Sequence, residues 1–178
     1  MIKTILAGVV ALAVTAPLPQ DTVKTQPTIA DGSEVTKEQS FDGTINARGD
    51  WKPFMDFRTV TDTSSKQYEF ISNPETFVNE NGLLMRGKCY LVAMGSAWGE
   101  VGTQWMIHLT TGQTLRVVKA DEIQDQHTIA GAGYTGINGN TIEFIVDTQT
   151  LHADALYSGN CDAIGELRGA ILYIEEVR

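Results

Sequence analysis

Two acids stand on apolar, β-branched runs that are far apart in the chain. Asp121 follows Leu115-Arg116-Val117-Val118-Lys119-Ala120, and Glu143 lies between Ile142 and Phe144. A glycosidic bond is cut by a carboxylic acid that protonates the leaving oxygen, with a carboxylate nearby to manage charge. Two carboxylates in one site push their pKa values apart, so one can hold its proton near neutral pH. A small barrel could gather a strand-end Asp121 and a mid-strand Glu143. The alternative is a solvated loop acid and an outward-facing strand glutamate.

Further candidates surround this pair. Asp125 and His127, just after Asp121, could hydrogen-bond a substrate. With Asp121 they could also hold a divalent ion, but no calcium loop or zinc signature accompanies them, so no metal and no cofactor is assigned. Trp98 sits in a glycine-punctuated stretch, residues 95–102, where a flat ring could stack on a sugar. Trp105, within a strand run, reads as core. His108, between Ile107 and Leu109, reads as structural, and His152 as a surface residue. No Gly-x-Ser-x-Gly, phosphate loop or nucleotide fingerprint is present. Cys89 and Cys161 have no metal-type spacing. In an exported protein they could close one disulfide, worth about 4 kcal/mol for so long a loop; in a reducing compartment both would be buried thiols.

The elements that must position these residues are mostly strands. Residues 103–109 and 114–118 are β-branched and aromatic runs joined by Thr110-Thr111-Gly112-Gln113, a hairpin signal. Residues 90–94 form a short apolar run suited to a strand buried on both faces. Residues 141–146 and 170–177 add two more strands, and residues 66–71 alternate like a strand edge. Asp147 is placed to cap a short helix over 148–157, with Gly159 as its stop. Four glycines in 129–139 suggest a mobile or tightly turning connection. The pattern predicts a mainly β fold, a small six-stranded β-barrel with one short helix, over residues 41–178. Arg48-Gly49-Asp50 reads as a plain turn.

Size and charge narrow the partners. A folded part of roughly 130–150 residues can bury about two-thirds of its unfolded surface, enough for one core. The formal net charge of −9 repels phosphate backbones and anionic surfaces, which speaks against nucleic acid as a partner. Residues 1–16 carry an early lysine, an apolar run and small residues, the pattern of a signal peptide or N-terminal anchor. Export to the cell envelope or beyond follows, with membrane attachment only through that N-terminus. Residues 17–40, poor in large apolar side chains, read as a flexible linker.

From Tyr90 onward the chain resembles the three-aspartate (3D) domain, a double-psi β-barrel relative found in lytic transglycosylases. Gly102-Thr103 matches the family's Gly-Thr, Asp121 its strand-ending aspartate, and Gly139-Asn140-Thr141-Ile142-Glu143 its Gly-Asn-x-Ile-Asp, with glutamate for aspartate. Residues 152–159 resemble its short helix. The aspartate expected before Gly-Thr is absent, and the spacing between Asp121 and Glu143 is about twice the family's. The chain is also similar to small exported bacterial and phage proteins with Ser64-Ser65-Lys66-Gln67-Tyr68 and Asp125-Gln126-His127-Thr128. The resemblance implies a peptidoglycan-acting domain in which Glu143 protonates the glycosidic oxygen and then serves as base. Asp121 would raise that acid's pKa, and His127, Trp98 and Asp125 would contact glycan. The same resemblance leaves open a non-catalytic glycan-binding or assembly module of a cell surface or phage particle.

Overall fold

The computed structural model describes residues 51–128 and 141–177, together with the backbone of Val35–Ser40, Ile129 and Tyr134–Thr135. The signal-peptide pattern, residues 17–34, Arg48-Gly49-Asp50 and most of the glycine-rich connection lie outside the described residues.

In chain order the strands are β1 (Val35–Ser40), β2 (Phe54–Asp56), β3 (Thr76–Val78), β4 (Leu84–Arg86), β5 (Cys89–Gly95), β6 (Gln104–Leu109) and β7 (Thr114–Ile123). They continue with β8 (Thr128–Ile129), β9 (Tyr134–Thr135), β10 (Ile142–Val146) and β11 (Ile171–Val177). The two α-helices are α1 (Lys66–Ile71) and α2 (Ala153–Ser158). Nine strands share one mixed sheet whose main path runs β1-β11-β6-β7-β5-β10-β2, with β4 also on β5 and β3 on β4; β8 and β9 pair separately. The expected mainly β class is therefore present, but the strands outnumber six. Among the described residues no ladder joins β1 to β2, so the main path is open rather than closed.

Central strand β5 explains why the sheet has two cores. Side chains alternate across a strand, and β5 is buried on both faces. Val92 and Met94 join Trp98, Trp105, Ile107, Leu109, Val117, Ile142 and Phe144 in the larger cluster. Cys89 and Leu91 join Val118, Ala120, Ile145, Leu84 and Ile71 in the other. A strand flanked by parallel β7 and antiparallel β10 and covered on both sides needs the unbroken apolar run seen at 90–94.

Several boundaries differ from those read in the sequence. Val35–Ser40, expected within a linker, is an edge strand on β11; backbone pairing supplies what its sparse apolar side chains do not. Lys66–Ile71 is a helix, because the Ser65 side chain accepts from the Tyr68 N–H and caps it. Asp147 does not start the last helix. Its carboxylate accepts from the Gln149 N–H in a separate turn, and His152 caps α2, which ends as expected on left-handed Gly159. At Gly82, with φ of 81°, an added Cβ would stand 2.3 Å from the Leu151 Cα; only glycine permits this approach.

Candidate functional site

The strand register answers where the two acids lie. Ala93 on β5 pairs with Asp121 of β7 on one side and Glu143 of β10 on the other. Two strand spacings of roughly 4.8 Å each separate the acids, so their backbones are about 10 Å apart. Glu143 shares its face with Ile145, two residues on, which belongs to the smaller core. Asp121 reaches the same row through a bulge, since β7 advances two residues, from Lys119 to Asp121, while β5 advances one, from Val92 to Ala93. Buried Ala120 is the extra residue. Strand β7 thus continues through Asp121 to Ile123 instead of ending before it. Both acids are half-buried.

Burial is the main influence on Asp121, and it pushes the carboxyl above the usual aspartate range. The Glu122 N–H donates to Asp121 Oδ1 at 2.7 Å and opposes the shift. The Glu122 charge adds to it, and Lys119 pulls against it.

Lys119, which sequence reasoning passed over, organises this end of the sheet. It is fully buried, and its ammonium donates to Gly95 O at 3.0 Å, Gly99 O at 2.7 Å and Glu122 Oε2 at 2.9 Å. A buried ammonium needs such a complete set of acceptors. The bonds tie the turn after β5 to β7. The one signal available was a lysine within the apolar stretch Val117-Val118-Lys119-Ala120.

That turn settles Trp98. It is buried at 0% exposure, packs edge-to-face on Trp105 with centroids 5.1 Å apart, and its carbonyl accepts from Trp105 Nε1 at 3.1 Å. The expected sugar-stacking surface is therefore corrected: the ring is core and offers no face to a ligand, because the Lys119 bonds draw the glycine loop inward.

Asp125 and His127 lie in an exposed 3-10 turn, Asp125–His127, beyond the end of β7. Asp125 Oδ1 accepts from Ser96 Oγ at 2.6 Å, which joins the turns after β5 and β7. His127 Nε2 lies 3.4 Å from Gln126 Nε2. Among the described residues no group of three or more His, Cys, Asp or Glu is placed to hold a metal ion.

The disulfide expectation is also corrected. Cys89 and Cys161 are both free and buried, and they belong to different core clusters, on opposite faces of the sheet. Burial raises the Cys161 thiol to about 12, against a smaller opposing effect of Lys52. Gly139 and Asn140, part of the family-like segment, lie outside the described residues.

Among the described residues no helix is long and apolar enough to cross a membrane. Compared with models of protein families, with curated proteins and with solved structures, the chain gives no match.

Proposed function

We propose that this is an exported, cell-wall-acting domain whose acids Asp121 and Glu143 cleave peptidoglycan glycan as a lytic transglycosylase does. The observation that carries the reading is their shared partner Ala93, a small buried residue paired with one acid on each side. With their backbones about 10 Å apart across two strand spacings, the two acid side chains can lean toward one another over the Ala93 methyl. The raised carboxyl of Asp121 moves the acid role from Glu143 to Asp121. Asp121 would give its proton to the glycosidic oxygen and, as carboxylate, take one from the sugar hydroxyl that closes the anhydro ring. Glu143 would stabilise positive charge developing on the sugar. Asp125 and His127, on the neighbouring exposed turn, would contact the chain of sugars.

The resemblance to three-aspartate domains supports the substrate class. We relate the parallel pairs β5–β7 and β2–β10 to a double-psi-like barrel, although the acid chemistry needs only the local register. Digestion of purified peptidoglycan, searched by mass spectrometry for anhydro-muropeptides, tests the catalytic reading.

The burial of Trp98 favours a second reading, because it removes the stacking ring that a processive glycan cleft would use. In that reading the module binds glycan, or assembles on a surface or particle, without cleaving it. Co-sedimentation with insoluble peptidoglycan that survives Glu143→Gln, with no soluble product from wild type, would identify that case.

A further inference from the structure

Three polar side chains on adjacent strands β7, β6 and β11 form a hydroxyl–imidazole–carboxylate chain, away from the acid pair. Thr114 Oγ1 lies 3.3 Å from His108 Nδ1, and His108 Nε2 lies 3.0 Å from Glu175 Oε2. The register explains the alignment: His108 pairs with Thr114 on one side and Tyr173 on the other. Glu175 is two residues beyond Tyr173 and shares its face.

Their burial is graded in the order that nucleophilic catalysis requires. The Glu175 side chain is 6% exposed and that of His108 16%, whereas Thr114 is exposed. An ionised carboxylate can only accept, so Nε2 carries the imidazole proton and Nδ1 turns its lone pair to the Thr114 hydroxyl. The Tyr173 ring stacks on the imidazole at 4.1 Å and 13°, which fixes the ring plane. Gly112, with φ of 83°, forms the tight turn that delivers Thr114 to the start of β7.

We infer that Thr114, His108 and Glu175 form an acyl-transfer site acting on carboxylic esters. Thr114 Oγ1 attacks the carbonyl carbon while its proton passes to His108 Nδ1. The tetrahedral intermediate collapses, and that proton leaves with the alkoxide as free alcohol. Water then attacks the acyl-threonine by the same route, restoring the hydroxyl and releasing the carboxylic acid. Glu175 and Tyr173 are positioning residues.

The test uses the full chain and p-nitrophenyl acetate, with nitrophenol release followed optically and the acetyl group located by peptide mass spectrometry. Acetyl on Thr114 is expected, lost in Thr114→Val and kept in Thr114→Ser. A fall of at least about 100-fold in acylation rate is expected in His108→Gln. Thr114→Val changes one exposed side chain, so it decides the matter even where His108→Gln fails to fold. No acetyl on Thr114, release undiminished in Thr114→Val, or an unchanged rate in folded His108→Gln would overturn the proposal.

Discussion

Asp121 and Glu143 are joined through a single residue, Ala93, which each faces from a neighbouring strand. The parallel β5–β7 pair fixes one half of this relationship and the antiparallel β5–β10 pair the other. The bulge at Ala120 is the necessary adjustment. Side-chain direction alternates along a strand, so a one-residue change of register would carry Asp121 to the opposite face. A large side chain at Ala93 would separate the acids even with the backbone unchanged.

Asp121→Asn is expected to stabilise the fold at neutral pH. Burial raises the folded-state pKa above the ordinary value of 3.8, so the folded chain holds this proton more tightly than the unfolded chain. Stability from that proton is complete below the unfolded pKa and is lost as pH rises through the folded one. Asparagine keeps the Oδ1 acceptor for the Glu122 N–H and never ionises. Urea unfolding at pH 7 and near pH 3 checks this: the variant should gain at pH 7 and lose that gain at pH 3. Equal effects at both pH values would remove burial as the cause.

Lys119→Met should be the most damaging exchange near the acids. It strands the Gly95 and Gly99 carbonyls and leaves Glu122 without its partner. Glu122, with 44% of its side chain exposed, can return to water, so the cost comes mainly from the carbonyls. A loss of about 2–4 kcal/mol is expected in denaturant unfolding. Trp98 fluorescence should also shift to the red as the turn loosens. A loss under about 1 kcal/mol would show that the turn is held by other contacts.

Thiol chemistry gives a third test. Cys89 and Cys161 are free and buried, so the native chain should react slowly with a disulfide reagent at pH 8, and both cysteines should titrate rapidly in denaturant. Reductant should leave the thermal midpoint unchanged. A midpoint that falls on reduction would mean the two sulfurs are joined.

Where local pattern decides structure, the sequence was legible. The 110–113 hairpin turn, the doubly buried β5 and the stop at Gly159 each follow from a few neighbouring residues. Asp121 and Glu143 could be singled out by type, but Ala93 could not be seen as their common partner, because strand register depends on contacts distant in the chain. Lys66–Ile71 misled because its short alternation suits a strand, while the Ser65 cap decides for a helix. Trp98 misled for a different reason: a glycine-rich loop reads as surface, and only the buried Lys119 ammonium turns it inward. The cysteines carry no sequence mark that would place them on opposite faces of one sheet.

The most direct measurement compares wild type, Asp121→Asn and Glu143→Gln on purified peptidoglycan, with anhydro-muropeptides quantified by mass spectrometry. Wild type should release them, and each variant should fall by about 10²–10⁴-fold while remaining folded. Undiminished product from either folded variant, or none from wild type, would contradict a catalytic pair built around Ala93.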